Sequence, residues 1–253
     1  MPDTHLAKNT SAEAWKARQE CAAVYRLLAH FGMSDLVYNH VTLRIPGEND
    51  RFLINPFGWM YEEITASSLI TIDLAGNIID NPHTDVGINP AGYVIHSAVH
   101  AARPDAHCVI HTHTRAGMAV SAMQCGLLPL TQTAMRCMPI SYHPYEGPAV
   151  DTGERARLQK NLGQTRFMIL RNHGLLTTGP SAAEAFNAMY WLEMACKAQV
   201  DAMAANTELG YPPDDVVAHA THLYDPSTRR PFGVLEWPAM LRLLDRRDPS
   251  WRN

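Results

Sequence analysis

His107-Cys108-Val109-Ile110-His111-Thr112-His113-Thr114 is the stretch on which the fold and the chemistry both turn. Cys108 to Ile110 is an apolar run short enough for a buried strand, and it ends in two imidazoles one residue apart. Alternate side chains of an extended chain share a face, so His111 and His113 point the same way and offer a pair of nitrogen ligands. His96, His100 and His107 precede the pair closely.

A metal usually takes a third protein ligand from elsewhere in the chain, and the sequence offers one. Phe167-Met168-Ile169-Leu170 is a second apolar strand, and it too ends in a polar turn with histidine, Arg171-Asn172-His173-Gly174. Gly174 lets the backbone turn sharply there, so His173 reaches His111 and His113 if the two strands are near neighbours. Three neutral imidazoles with a position left for water or substrate form a catalytic zinc arrangement that also suits manganese or iron. A closed structural site would want a fourth ligand, and none stands out.

Around these strands the chain alternates helix and strand signals. Thr10-Ser11-Ala12-Glu13 reads as a capping box opening a helix over about 11–31. Val41 to Ile45 and Phe52 to Ile54 read as a hairpin across Pro46-Gly47-Glu48-Asn49-Asp50. A further strand pair lies around Leu69 to Asp73 and Ile78-Ile79, and Asn89-Pro90 opens a helix with Tyr93, His96, Val99 and His100 on one face. Arg115 to Met123 is helical, Pro139 to Tyr142 is a strand, 151–162 is a helix, Leu175 to Thr178 is a strand, and Ser181 caps a helix running to about Ala205. Strands outnumber clean βαβ units, which predicts a mostly antiparallel sheet with helices on its faces. Residues 1–210 form one unit; beyond Gly210 a Pro- and Asp-rich segment leads into 211–253, an extension packed on that unit or on a neighbouring subunit.

Composition narrows the function classes. The 253 residues are 46% hydrophobic with a net charge of -4 and no basic run, which excludes a nucleic-acid footprint. There is no apolar run of about eighteen residues and no secretion-signal order in the first residues, and the five cysteines show no Cys-X-X-Cys spacing. A soluble cytoplasmic protein with buried thiols is expected. No glycine-rich dinucleotide motif calls for an organic cofactor. Met118, Met123, Met135 and Met138 read as core filler, and Arg115 and Arg136 as surface residues or anion ligands.

Taken in order, Ala102-Arg103-Pro104-Asp105, Val109-Ile110-His111-Thr112-His113, Leu170-Arg171-Asn172-His173-Gly174 and Ala183-Glu184-Ala185-Phe186-Asn187 resemble the class II aldolase/adducin family over roughly residues 15–205. The resemblance implies a three-layer α/β/α sandwich around a central, mainly antiparallel sheet. It implies a divalent metal, zinc first, on His111, His113 and His173, and a homo-oligomer, often a tetramer. The chemistry implied is that of a lyase, cleaving or decarboxylating a hydroxy-carbonyl or keto-acid compound through a metal-stabilised enolate. Two other readings stand beside it: an adducin-like interaction module without catalysis, and an iron-dependent oxygenase on the same fold.

The departures from the family pattern are specific. Gly92 stands where family aldolases carry an acid/base glutamate, Pro90 and Ala91 where they carry two phosphate-binding serines, and Asn39-His40 where they carry a Gly-Asn pair; Gly58 alone is kept from the second phosphate loop. An unphosphorylated substrate is therefore expected, with His40, Asn55 and Gly58 lining its pocket. Glu146, on the loop Tyr142-His143-Pro144-Tyr145-Glu146-Gly147, and His96 are the candidates for the missing proton-transfer group.

Overall fold

The computed structural model describes residues 10–83, 85–147 and 152–253. Helix α1 (Ala12–His30) is capped by Ser11, whose Oγ accepts from the Ala14 N–H. The helix thus starts one residue later than a Thr10 cap would give, and Glu13 sits in the first turn, where it complements the positive end of the helix dipole instead of closing a capping box. Strands β1 (His40–Arg44), β2 (Phe52–Ile54), β3 (Ile70–Ile72) and β4 (Ile78–Asp80) follow, with a 3₁₀ turn at Tyr61–Glu63. Helix α2 (Pro90–Ala102) leads to β5 (Cys108–Thr112) and α3 (Arg115–Ala122). After them come α4 (Gln132–Met135), β6 (Ile140–His143), α5 (Thr152–Leu162), β7 (Phe167–Leu170), β8 (Gly174–Gly179) and α6 (Ala182–Ala204). The four-residue α4 is too short to show a helical period, and it was missed in the sequence.

The strands form one eight-stranded sheet in the order β4-β3-β2-β1-β5-β8-β7-β6, antiparallel throughout except for β6 with β7. The period of two sorts each strand onto two cores. Val41, Leu43, Cys108, Ile110 and Leu175 face a layer of α1, α3 and α6, while Val109, Met168, Leu170 and Leu176 face α2 and α5. These are the three layers of the expected sandwich. The same alternation turns His40, Thr42 and His111 toward the α2 side, and β1 pairs His40 opposite His111.

Tyr25 fixes the position of β1. Its hydroxyl oxygen accepts from the Val41 and Asn55 N–H groups and lies 2.7 Å from the Val41 carbonyl and 2.8 Å from Asn55 Oδ1. The C-terminal residues pack on their own chain. In α7 (Asp214–Tyr224) no residue is buried, whereas α8 (Trp237–Arg247) sends Trp237 and Leu244 into the core, and Trp251 follows at 1% exposure. The Ala66 and Ser67 N–H groups donate to the Trp251 and Asn253 carbonyls, pinning the terminus beside α1. Among the described residues no helix is long and apolar enough to cross a membrane. Four of the five free cysteines are buried as expected; Cys125 is exposed.

Candidate metal centre

The end of β5 and the β7–β8 turn bring three imidazoles to one point. His111 Nε2 lies 2.8 Å from His113 Nε2 and 3.3 Å from His173 Nε2, and the last two are 2.9 Å apart. Zinc–nitrogen bonds of about 2.0–2.1 Å at tetrahedral angles separate ligand nitrogens by about 3.3 Å, so the triangle is slightly tighter than a filled site.

Outer partners set the tautomers. The Leu175 carbonyl accepts from His111 Nδ1–H at 2.8 Å, and Asp35 Oδ2 lies 3.1 Å from His113 Nδ1. With Nδ1 protonated, the Nε2 atoms of His111 and His113 are bare lone pairs, and lone pairs 2.8 Å apart repel unless a cation lies between them. Burial first, then repulsion among the rings, holds His111 well below its ordinary range and His173 at about 4. Among the described residues no fourth carboxylate, thiol or imidazole joins the cluster. The donor set is therefore three nitrogens with open positions, which suits a catalytic divalent ion.

Two backbone features permit the convergence. Asn172 takes the left-handed conformation at φ 55°, which asparagine tolerates. Gly174 is needed for proximity more than for turning: a Cβ there would lie 2.3 Å from the Thr112 carbonyl oxygen and 3.2 Å from the His113 ring.

A cavity of about 410 Å³ opens beside the imidazoles, with Tyr38, Asn39, His40, Asn89, Met118, Tyr145 and Asn172 on its wall. Met118, expected as core filler, is 43% exposed there. Tyr145, exposed at the mouth, sets its ring 6.2 Å from that of His173. No lysine, arginine, aspartate or glutamate lines the cavity among the described residues.

Of the substrate-binding and catalytic candidates named from the sequence, His40 reaches this wall. Asn55 is buried against Tyr25, and Gly58 occupies a turn at φ 98° away from the cavity. Glu146 neighbours the wall residues Tyr145 and Gly147, but its carboxylate is held by Arg157, whose guanidinium also keeps it below the usual carboxylate range. His96 is wholly buried beneath His40, ring centroids 4.1 Å apart. Its surroundings fix the protons. The Ala106 carbonyl accepts from His100 Nδ1, His100 Nε2 accepts from the Thr42 hydroxyl, and Thr42 Oγ1 accepts from His96 Nδ1, which leaves His96 Nε2 bare. Asp35 and Tyr38 were missed, and Asn39 was noted only for its place in the family pattern; they lie on a loop, Ser34 to Asn39, that carries no helical or strand element.

His40 explains how the chain accommodates Gly92. A Cβ at position 92 would lie 2.2 Å from His40 Cε1, and His40 Nε2 donates to the Gly92 carbonyl at 2.7 Å. The imidazole thus fills the space that a side chain at position 92 would need. With the His96 ring 4.1 Å behind it the His40 ring cannot retreat, so Gly92→Ala is expected to destabilise the fold by about 1–3 kcal/mol, as overpacking does. Removing the His40 ring as well should recover most of that loss. Thermal melts of the two single variants and the double variant measure the coupling.

The sequence profile described as the class II aldolase and adducin N-terminal domain matches residues 19–200. The chain belongs to the class II aldolase/adducin family. A Pseudomonas aeruginosa protein named for the class 2 aldolases is 48% identical over 247 residues, covering 96% of this chain and 94% of that one. Mouse alpha-adducin is 44% identical over 244 residues, 90% of this chain but only 33% of the adducin. Among solved structures, an aldolase II superfamily protein from Pseudomonas syringae superposes with a TM-score of 0.94 at 45% identity, covering 98% of this chain and all of that one. The L-fuculose 1-phosphate aldolase of Glaciozyma antarctica gives a TM-score of 0.83 at 27% identity, covering 96% and 94%. This class II aldolase/adducin chain is thus similar over nearly its whole length to proteins named for aldolases, and equally spans the matching third of adducins.

Proposed function

We propose that the protein is a metal-dependent lyase that cleaves or decarboxylates a small, unphosphorylated hydroxy-carbonyl or keto-acid compound. The observation that carries this reading is the meeting of three imidazole Nε2 atoms within 3.3 Å of one another beside an open cavity. His111, His113 and His173 would hold a divalent ion, zinc before manganese or iron, and when bound it would supply Lewis-acid neutralisation of the charge that develops on the substrate oxygens. The phosphate group of a sugar phosphate would meet no cationic side chain on this wall among the described residues, which supports an unphosphorylated substrate.

The chain's own residues supply the rest. The Leu175 carbonyl and Asp35 orient two imidazoles, so that reacting atoms meet a preformed triangle. His40 and Asn39, both buried, close the inner end of the cavity. With Glu146 paired to Arg157 and His96 covered by His40, the proton-bearing groups on the wall are the phenols of Tyr38 and Tyr145, and Tyr145, whose ring lies 6.2 Å from that of His173, is the one assigned to proton transfer. The reading includes a cytoplasmic homo-oligomer, supported by five free thiols and by an α7 with no buried residue.

Metal analysis of purified protein, followed by a screen of aldol and decarboxylation substrates on metal-loaded enzyme, tests the proposal. About one zinc or manganese per chain with turnover supports it; iron with oxygen consumption would replace it with an oxygenase. The absence of any carboxylate on the cavity wall among the described residues, together with the adducin similarity, favours a second reading as a non-catalytic interaction module, which metal binding without turnover across the screen would support. Asp35→Asn is expected to weaken metal affinity about 10–100-fold while leaving the melting temperature of the metal-free protein nearly unchanged, because it alters only the partner of His113 Nδ1. Competition with a chelating dye measures the shift.

A further inference from the structure

A second cavity of about 180 Å³ lies elsewhere in the molecule, formed where α6, the β6–β7 edge and the segment after α7 meet, and it shares no lining residue with the histidine site. Its centre is Arg136. The guanidinium carbon sits 4.3 Å from the Trp191 ring centroid, 4.8 Å from that of Tyr224 and 5.7 Å from that of Phe232. Such contacts engage the positive charge through the ring faces, yet they give the N–H groups of the guanidinium no acceptor oxygen. Arg136 Nε is buried without a partner, and so is Trp191 Nε1.

The two acids on the wall are already engaged. Glu184 faces Arg166 at 3.6 Å and lies 3.1 Å from the Ser181 hydroxyl, which donates to it. Asp225 accepts from the Ser227 N–H at 2.8 Å and from its hydroxyl at 2.6 Å. Arg136 is left as a cation in an aromatic cage with no carboxylate in ion-pair range among the described residues, beside empty space walled largely by carbon.

We propose that this cavity is an anion site for a small organic acid, a single carboxylate on an apolar body, with the carboxylate on Arg136 and the body against Trp191, Phe232 and Met138. Arginine is the residue that pairs with planar carboxylates, and a void near 150 Å³ admits a molecule the size of benzene, so the space suits a single-ring or short-chain acid. The site stands independently of the lyase reading.

Calorimetric titration of the full chain with benzoate, and in parallel with inorganic phosphate, tests it. Benzoate should saturate one site per chain in the millimolar range or tighter. Arg136→Met, which keeps the apolar stem, should weaken it at least tenfold, and His173→Ala should leave it unchanged. In wild-type protein, saturation should also move the NMR resonance of the Trp191 indole N–H, a readout that needs no Arg136 variant to fold. The proposal is overturned if wild type does not bind benzoate, if Arg136→Met binds it equally, if phosphate binds as tightly as benzoate, or if His173→Ala abolishes binding.

Discussion

Replacing His173 with alanine is expected to abolish the divalent-metal binding proposed for the histidine triad. The three Nε2 atoms stand within 3.3 Å of one another, and each is a lone pair once the Nδ1 positions carry their protons, so no nitrogen is redundant. Loss of a direct ligand should weaken affinity by more than the ~100-fold that loss of an outer partner can bring. The effect on stability should reverse sign with metal. In metal-free protein the variant loses a half-buried ring whose charged form is disfavoured by burial and by His113 and His40, so its melting temperature should hold or rise slightly. With metal at about 100 times the wild-type dissociation constant, wild type gains about 2.7 kcal/mol from binding, and the variant should gain almost none of it. Melts with and without added zinc separate the two terms. A variant that kept both its bound metal and its zinc-dependent shift would show that the ligands lie elsewhere.

The strands that carry the site were legible because burial on a sheet has a period of two. Cys108, Val109 and Ile110 alternate between two cores, and that parity alone places His111 and His113 together. The reach of His173 was legible as well, since β8 adjoins β5 directly. Gly174 was read as a turn residue, but it serves close approach to Thr112, a contact between segments some sixty residues apart in sequence that no local pattern encodes. The outer partners were hidden for a related reason. Asp35 belongs to a loop with Leu36 and Asn39 in left-handed conformations, and no periodicity extends through such a loop. Glu146 was chosen for its place in the chain, and its capture by Arg157 depends on how α5 docks. Asn55 was lost to Tyr25, a residue thirty positions away on α1.

Acidification should unfold the protein early, and histidines rather than carboxylates should set the midpoint. His40, His96 and His100 are essentially buried and lie outside the proposed ligand set. Desolvation is the main cause that lowers each of them, His40 to about 4, His100 to about 3 and His96 well below its ordinary 6.5. Their neighbours reinforce this: His40 is also opposed by His113, His100 by Arg44 and His107, and His96 by His40, His100 and His111. Between pH 6.5 and the folded values the unfolded chain takes up protons that the folded chain refuses, so stability falls as pH falls. Each such histidine contributes about 1.4 kcal/mol per pH unit, so His40 alone removes about 3 kcal/mol by pH 4. Three together approach the whole 5–15 kcal/mol of a typical domain. Burial raises the carboxyls of Glu20 and Glu193 and so works in the opposite direction, while the carboxyls lowered by partners, such as Asp105 beside Arg103, weaken the fold only at still lower pH. Urea midpoints of chelator-treated protein should therefore decline steadily from pH 6.5 to 5, with an uptake on unfolding of more than one proton, to which the metal-free His111 and His173 add their share. A midpoint flat across that interval would mean that these imidazoles are protonated in the folded state, and the hydrogen-bond chain through Thr42 would then have to be reversed.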